Sequence, residues 1–457
     1  MLLIDPFFLL YFFPWFWSAY YFVLRNTQIA NVAIVIASIY FYSTFGYWQL
    51  PILIIPLIAD YFLGIFISKS KNSFYSKLYL FIGISLNVVL LGYFKYTNFF
   101  LGTLGFQNYL KDIVLPVGIS FIVFQRISYL VDIYRRKFSP EKNFINYAAY
   151  ASLFPHLISG PIVRYSQIKD ELKSRVLNSS TIFEGTKIFV IGFAYKILIA
   201  DQLFVLEDYL INRSGLNSIE SLATILYFSF RIYFDFLGYS LMAVGVAKLL
   251  GFTFPYNFNA PYQARSITDF WRRWNITLSF WIRDYLYIPL GGNRKGRLRT
   301  YSNLIVVMLI AGLWHGASWN FVAWGALHGI YLAIERYSGN RRFVIHIPDN
   351  LKIAFTFTLV TFGWILFRFT NMRDIQQMLG NIFSMDISPF SSVTQNIFLY
   401  TVPSLLAAFV ISFFVKEEYL HKITPKIVHI IPLLILFLIS LCFAVLKVDT
   451  FFIYNQF

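Results

Sequence analysis

Residues 309–335 read LIAGLWHGASWNFVAWGALHGIYLAIE, and Glu335 is the only Asp, Glu, Lys or Arg among them. A run of about 20 apolar residues is long enough for a helix to cross the hydrocarbon core of a bilayer. Similar runs recur along the 457-residue chain, which is 58% hydrophobic and 13% charged, with a mean hydropathy of +0.61. Because soluble domains carry about 25% charged residues, the composition predicts an all-α polytopic membrane protein and excludes a soluble multidomain one.

The apolar segments predict about ten to twelve transmembrane or re-entrant helices. They lie near residues 7–24, 28–45, 47–68, 78–100, 113–134, 145–163, 182–203, 220–250, 301–334, 351–370, 396–415 and 426–447. No linker or repeat separates them, so we expect one membrane-embedded domain over residues 1–457. The first segment lacks a basic region and a cleavage site of small residues, so we expect it to be retained rather than removed as a signal peptide.

The 38 Lys and Arg residues exceed the 22 Asp and Glu residues and give a formal net charge of +16. The basic residues cluster in short loops between apolar runs, at 69–77, 135–142, 293–299 and 339–342. Short cytoplasmic loops of membrane proteins carry this excess of Lys and Arg. We therefore expect these loops on the cytoplasmic face; binding of a polyanion is the alternative, and the two roles can coexist.

Polar side chains inside apolar segments are costly in hydrocarbon and usually face a partner or a cavity. Residues 115–137, LPVGISFIVFQRISYLVDIYRRK, contain Gln125, Arg126 and Asp132. Two interpretations stay open for this segment. It is either an interfacial helix whose charges pair with lipid or with each other, or a helix that lines a cavity.

Two further segments carry polar residues. In FPHLISGPIVRY, residues 154–165, Pro161 follows a glycine a few residues after His156. This arrangement predicts a broken or re-entrant helix. In a later segment, Arg231 and Asp235 lie four residues apart, a spacing that predicts an ion pair on one helix face.

The stretch TDFWRRWNITLSFWIRDYL, residues 268–286, concentrates charged and aromatic side chains. On one continuous helix starting near Ile267, its polar residues form one face and its aromatic residues a neighbouring face. The polar face would hold Arg272, Asn275, Ser279 and Arg283, and the other face Trp271, Trp274, Leu278 and Trp281. Such a helix is either an anchor at the membrane surface or part of a site. The basic loop at 293–299 follows. It either binds the phosphates of an anionic cofactor or is one of the Lys- and Arg-rich loops usual on the cytoplasmic face.

His315 and His328 both lie in the 309–335 run. On one continuous helix they would lie on different faces, roughly 20 Å apart. There is no HExxH motif, and Cys442 is the single cysteine, so we expect no metal site. Gly312 and Gly316 flank His315 and predict close approach of another helix. His315 is either a structural histidine or a general base, for which its ordinary pKa range is suited.

Four segments together resemble the membrane-bound O-acyltransferase family. They are LPVGISFIVFQRISYLVDIYR, FPHLISGPIVRY, DFWRRWNITLSFWIRDYLYIPLGGNRKG and GLWHGASWNFVAWGALHG. The similarity covers about residues 40–340 and is greatest to the bacterial branch that O-acetylates alginate or peptidoglycan. The chain differs from the pattern at Leu237 and Leu241, where a polar and an acidic residue are expected.

The resemblance implies a multi-helix bundle around a central tunnel, in a bacterial inner membrane. Beyond the region of similarity, the apolar segments predict C-terminal helices over residues 350–447. The resemblance implies that His315 is the catalytic histidine and that Asn275, at a position that holds Asn or His in different branches, is a second catalytic position. It also implies acetyl-CoA as a cytoplasmic donor substrate, with no tightly bound cofactor, and a polysaccharide acceptor. A separate extracytoplasmic partner resembling SGNH/GDSL hydrolases is expected.

Within that scheme we expect two further sets of residues. Residues for binding the donor are Arg272, Arg273, Ser279, Arg283, Lys295, Trp271, Trp274 and Trp281. Polar residues lining the tunnel are Gln125, His156, Asp235 and Trp314. The main alternative function is a transporter or channel with an intramembrane polar path, and the third is a structural scaffold for polysaccharide export.

Overall fold

A computed structural model describes residues 1–106, 113–213, 215–338, 347–415 and 423–446, and these residues form helices and no strands. The basic segment at 339–342 lies outside the described residues. In chain order the α-helices are α1 (Phe13–Val23), α2 (Thr27–Ser43), α3 (Leu50–Lys69), α4 (Ser73–Leu91), α5 (Thr97–Thr103), α6 (Ile119–Tyr134), α7 (Phe144–Ser152), α8 (Phe154–Leu157), α9 (Tyr165–Ile168), α10 (Ser179–Ala194), α11 (Asp201–Ile211), α12 (Ser218–Leu249), α13 (Ile267–Arg273), α14 (Ile276–Ile282), α15 (Arg297–His315), α16 (Trp319–Ser338), α17 (Asp349–Arg368), α18 (Met372–Phe383), α19 (Ser392–Phe414) and α20 (Ile427–Leu446). Short π-helical turns at 92–96, 195–200 and 283–287 extend α4, α11 and α14.

Within the described chain, seven helical segments are long and apolar enough to cross a membrane. They are Tyr47–Lys69, Ser73–Thr103, Ser179–Ile211, Ser218–Leu249, Asp349–Arg368, Ser392–Phe414 and Ile427–Leu446. Two shorter apolar helices, Phe8–Val23 and Thr27–Ser43, precede them. The all-α, multi-pass fold class predicted from composition is therefore confirmed.

The chain divides into two compact units. The first comprises Met1–Val190 with Tyr239–Pro255, and the second comprises Ile191–Gly238 with Tyr256–Phe457. The prediction of a single domain stays a prediction. His315 and Asn275 both belong to the second unit, whereas Gln125 and His156 belong to the first.

In the first unit, the predicted break in the segment 154–165 is present. Helix α7 ends at Ser152, α8 occupies only four residues, and residues 158–164 leave the helical conformation although most of them are buried. Helix α6 is buried along most of its length, and its Arg126 donates to the backbone carbonyl of Leu53. Asp132 pairs with Lys137 (Nζ to Oδ1, 2.9 Å) rather than with Arg126. The polar residues of α6 therefore face protein, which argues against a helix lying in the lipid interface.

In the second unit, α15 and α16 form a tight hairpin that reverses at residues 316–318. A Cβ at Gly312 would overlap the carbonyl oxygen of Phe321, and a Cβ at Gly325 would overlap that of Met308. The close approach predicted from Gly312 is thus confirmed, and the approaching helix is the second arm of the same hairpin. Small residues permit such contact between membrane helices.

We expect Gly325→Ala to destabilise the protein by about 1–3 kcal/mol, because the added methyl group must push the two helix backbones apart. The matched control is Gly380→Ala on α18, where a Cβ would meet nothing within 4 Å. The control should be neutral or slightly stabilising. Thermal unfolding of purified protein in detergent measures both, and equal midpoints for the two variants would contradict the packing described for this hairpin.

Candidate active site

The segment 268–286 is not one helix. Helix α13 begins at Ile267, and the Ser266 side chain accepts from the Asp269 amide (3.2 Å), so the predicted helix start is confirmed. The helix ends at Arg273, and Asn275 adopts a left-handed conformation (φ 43°, ψ 55°) before α14 begins. The predicted continuous polar face is therefore wrong.

A neighbouring loop explains the break. The Asn259 amide donates to the carbonyl of Arg273 (3.0 Å), and the Ile276 amide donates to the carbonyl of Asn257 (2.9 Å). The Asn257 side chain also accepts from the Thr277 hydroxyl (2.6 Å). These bonds satisfy backbone groups at the end of α13 and the start of α14, so the chain can turn there. Asn tolerates the left-handed region better than most residues.

The break separates the residues that one face was predicted to share. Arg272 and Arg283 are exposed, Ser279 is partly buried, and Asn275 is only 1% exposed. The Ser279 hydroxyl donates to the carbonyl of Trp274 (3.3 Å). The two arginines therefore lie at the protein surface, whereas the Asn275 side chain is enclosed by protein.

His315 is the last residue of α15 and is 4% exposed. Aromatic rings surround its imidazole, with centroid distances of 5.0 Å to Trp314, 5.1 Å to Trp324 and 5.2 Å to Phe367. These rings come from both arms of the hairpin and from α17. The Asn320 side chain donates to the carbonyl of Leu366 (3.1 Å) and ties the start of α16 to the end of α17.

His328 lies nearer to His315 than predicted. Its ring centroid is 4.9 Å from that of Trp324, which also contacts His315, so the two imidazole centroids are at most 10.0 Å apart, the total of both distances. The prediction of roughly 20 Å assumed one continuous helix, and the reversal at 316–318 makes it wrong. Among the described residues, no group of three or more His, Cys, Asp or Glu side chains is placed to hold a metal ion.

Tryptophans connect α13 with this histidine. Trp271 contacts Trp324 (5.6 Å), and Trp274 contacts Trp364 (5.0 Å), which is stacked on Trp324 (6.0 Å, 17° between planes). Trp274 immediately precedes Asn275. Two of the three tryptophans predicted for α13 and α14 therefore join the ring cluster around His315. The third, Trp281, is buried and packs on Tyr285 (5.2 Å).

Several buried polar atoms of this cluster and of the adjoining turn at Asn275 have no hydrogen-bond partner among the described residues. They are Nδ2 and Oδ1 of Asn275, both ring nitrogens of His328, and the indole nitrogens of Trp271 and Trp324. Buried polar groups in proteins nearly always have a partner. An amide that is held rigidly by its backbone and lacks a protein partner is suited to hydrogen bonding with a substrate.

The basic residues predicted to bind the donor lie on the exposed side of α13, α14 and the following loop. Arg273 pairs with Asp269 (2.9 Å), and Arg283 pairs with Asp284 (2.7 Å). Lys295 is exposed. None of these ion pairs is buried, so solvent screening makes them weak and replaceable by a ligand.

The predicted pair between Arg231 and Asp235 is wrong. Arg231 pairs with Glu207 (2.9 Å), and Asp235 pairs with Lys196 (2.5 Å), which also binds Asp201 (2.7 Å). Arg231 and Asp235 are both buried on α12. The segment that packs against them supplies their oppositely charged partners. A buried charge needs such a partner because desolvation is costly. Asp235 therefore lies in an ion cluster.

The remaining polar predictions fall in the first unit. The Gln125 side chain donates to the carbonyl of Tyr150 (3.4 Å), and the His156 ring lies 5.6 Å from that of Phe254. Both side chains are buried.

The sequence model of the membrane-bound O-acyltransferase family matches residues 135–373, more than half of the chain. The chain belongs to this family. The match includes α13 to α17 and therefore Asn275, His315 and every ring in contact with His315. As a member of this acyltransferase family, the chain is an O-acyltransferase and a multi-pass bacterial membrane protein.

Curated relatives are similar over most of the chain. It is 37% identical to the probable alginate O-acetylase AlgI of Pseudomonas putida, over 92% of this chain and 88% of that protein. It is 37% identical to the peptidoglycan O-acetyltransferase of Helicobacter pylori, over 80% of this chain and 77% of that protein. The teichoic acid D-alanyltransferase of Streptococcus thermophilus is 29% identical over 55% of this chain. Family membership favours acyl transfer over the transporter alternative.

Sequence reasoning missed three rings of the cluster around His315, namely Trp324, Trp364 and Phe367. The first lies within the quoted 309–335 run, nine residues after His315, but the reversal that brings it back was not anticipated. Trp364 and Phe367 come from α17, which lies beyond the quoted motifs. The tryptophans of SWNFVAWG and TFGWILF were the available signal for these rings. Periodicity alone, however, assigns such residues to the packed interior of the protein and not to a site.

Proposed function

We propose that this O-acyltransferase takes an acetyl group from acetyl-CoA on the cytoplasmic side and passes it toward a hydroxyl group of an extracytoplasmic polysaccharide. His315 carries the proposal, because it is a buried imidazole at a helix end in an enclosure of aromatic rings. The relatives named for O-acetylation of alginate and peptidoglycan support the choice of acetyl group and acceptor.

In the proposed reaction, a ring nitrogen of His315 accepts the proton of the attacking hydroxyl. The hydroxyl oxygen forms a bond to the thioester carbonyl carbon, and the carbon–sulfur bond breaks. The imidazolium then returns the proton to the departing thiolate, so the products are the acetyl ester and coenzyme A with a free thiol. Exclusion of water by Trp314, Trp324 and Phe367 prevents hydrolysis of the thioester.

Asn275 is proposed to act on the developing negative charge of the carbonyl oxygen. Its Nδ2 is a donor with no partner among the described residues, and its backbone is fixed by the turn between α13 and α14. Donors held in advance at such an oxygen stabilise the transition state. The alternative role that we propose for Asn275 is to orient the imidazole of His315.

The phosphates of acetyl-CoA are proposed to bind Arg272, Arg273, Arg283 and Lys295. Arg272 is exposed and follows Trp271, whose ring contacts Trp324, and Trp324 contacts His315. A donor bound with its phosphates at Arg272 would therefore lie beside a row of aromatic rings leading to the histidine. Guanidinium groups bind phosphate in a bidentate manner.

We further propose that a separate extracytoplasmic protein resembling SGNH/GDSL hydrolases completes the transfer to the polysaccharide. Deleting the gene for that partner should leave the polysaccharide unacetylated, and adding the partner back to membranes that contain this chain should restore acetylation from acetyl-CoA. Acetylated polymer in the deletion strain would contradict the relay and would favour direct transfer.

The donor is tested with the purified full chain in detergent. We expect release of free coenzyme A thiol from acetyl-CoA, accelerated when the hydrolase-like partner is added with an oligosaccharide acceptor, and reduced at high ionic strength because salt screens the exposed arginines. A thiol-reactive dye follows the release, with palmitoyl-CoA as the comparison donor. Absence of release from acetyl-CoA, or faster release from palmitoyl-CoA, would contradict acetyl transfer.

A further inference from the structure

A cavity of about 580 Å³ lies where α11 and α17 end and α12 begins, within the second unit. Three arginines contribute to its lining, Arg213, Arg231 and Arg368. The acyl-transfer chemistry proposed above uses none of them.

Two of these arginines are held by one buried carboxylate. Arg231 pairs through Nη1 with Oε2 of Glu207 (2.9 Å), and Arg368 pairs through Nε with Oε1 of the same residue (2.7 Å). Glu207 is 0% exposed. Because a guanidinium carries five N–H donors, each arginine keeps donors for a ligand after binding Glu207.

The third arginine is held in a similar way. Arg213 pairs through Nη1 with Oε1 of Glu220 (2.6 Å) and donates to the hydroxyl of Thr394 (3.0 Å). Three guanidinium groups face the two buried carboxylates and the exposed carboxylate of Asp374 in the wall, so the formal charges of this set cancel. The N–H donors left on the guanidinium groups can bind one carboxylate, whereas a wall with no excess positive charge disfavours a dianion such as phosphate.

The rest of the wall is rich in neutral polar groups. Asn212, Gln377 and Asn381 bring amide groups, and Thr370 brings a hydroxyl. Amides both donate and accept hydrogen bonds, as recognition of sugar hydroxyls requires. The volume lies within the range of about 300–1,000 Å³ usual for small-ligand sites. Guanidinium groups beside amides match an acidic sugar.

The cavity also lies at the same end of the helices as His315. The Phe367 ring contacts His315 (5.2 Å), and the next two residues, Arg368 and Phe369, line the cavity. Helix α15 starts within the basic segment 293–299 and ends at His315. Since that segment is expected on the cytoplasmic face, we expect the cavity at the extracytoplasmic end.

We propose that this cavity binds one carboxylate-bearing sugar unit of the acceptor polysaccharide and holds the glycan close to His315, where the acetyl group leaves the thioester. This assignment rests on the proposed function, since it names the class of acceptor. It applies whether the last transfer is made by this chain or by a partner.

The test is isothermal titration calorimetry with the full-length His315→Gln protein in detergent, so that binding is measured without turnover. The probes are a hexuronate tetramer, the same tetramer with its carboxyl groups reduced to alcohols, and inorganic phosphate. We expect the hexuronate to bind, and Arg213→Gln and Arg368→Gln to weaken it by about tenfold or more each, as loss of a charged hydrogen bond does.

Two exposed positions supply controls that should not affect folding. Arg373→Gln removes a nearby positive charge that does not line the cavity and should leave the affinity unchanged. Asp374→Asn removes a negative charge from the wall and should tighten binding severalfold. If an arginine variant fails to fold, the Asp374→Asn result decides the question, and unchanged affinity there overturns the proposal.

Equal binding of the carboxyl-reduced tetramer, or tighter binding of phosphate than of hexuronate, also overturns the assignment. So does competition only by a carboxylate-bearing peptide of a partner protein, with no binding of the hexuronate. Hexuronate binding with no release of coenzyme A from acetyl-CoA by the wild-type chain would reject the proposed donor and keep the cavity. Release of coenzyme A by the wild-type chain without binding of the hexuronate would reject the cavity assignment and keep the proposed donor.

Discussion

His315→Gln is expected to lower the rate of coenzyme A release and acetyl transfer by about 10²–10⁴-fold, the usual contribution of a general base. Glutamine fills a similar volume and forms hydrogen bonds, but it cannot take up the hydroxyl proton near neutral pH. The aromatic contacts with Trp314, Trp324 and Phe367 leave room for a planar amide, so we expect the variant to remain folded.

The matched control is His328→Gln. His328 is in the same hairpin, is buried, and contacts the same indole, Trp324, as His315 does. Family resemblance implies no catalytic role for it, so this variant should keep its activity within about tenfold of wild type, well short of the loss of a general base. An active, well-folded His315→Gln protein, or a larger loss in His328→Gln, would show that the base is assigned to the wrong histidine.

Asn275→Gly is expected to lower the transfer rate by about 10²–10³-fold, comparable to removal of one oxyanion donor elsewhere. Glycine adopts the left-handed conformation at φ 43° without strain, so this change removes the amide and preserves the turn between α13 and α14. The melting temperature should therefore stay near that of wild type while the turnover number falls.

Two further substitutions at the same position separate backbone from side chain. Asn275→Ala loses the amide and also strains the backbone, at a cost of about 1 kcal/mol in stability, so it should be both inactive and less stable. Asn275→His, which introduces the residue that the family resemblance implies for other branches at this position, should keep substantial activity. If Asn275→Gly retains wild-type turnover, the amide has no part in the chemistry and Asn275 serves only the turn.

The fold class was predictable because membrane spans depend on length and hydropathy, which are local properties of the sequence. The contact at Gly312 was predictable from local sequence as well, because a glycine inside an apolar helix typically allows another helix backbone to approach closely. The start of α13 was predictable from Ser266, whose side chain caps the helix.

The errors came from interactions between segments distant in the chain. Helical periodicity placed Arg272 and Asn275 on one face, but the Asn259 amide donates to Arg273 and the Asn257 carbonyl accepts from Ile276, and the helix is interrupted between them. The same kind of error paired Arg231 with Asp235, because the true partners, Glu207 and Lys196, lie in a different segment. Periodicity describes one continuous element and cannot supply such tertiary partners.

The most direct test of the account is the side of the membrane on which the acetyl group emerges. Wild-type protein is reconstituted into vesicles whose cytoplasmic face points outward, with an oligosaccharide acceptor and the hydrolase-like partner enclosed, and acetyl-labelled acetyl-CoA is added outside. The account predicts that labelled ester accumulates on the enclosed glycan, and that vesicles with His315→Gln protein accumulate none above background. Label that remains outside with wild-type protein, or that reaches the glycan equally with His315→Gln protein, would contradict it.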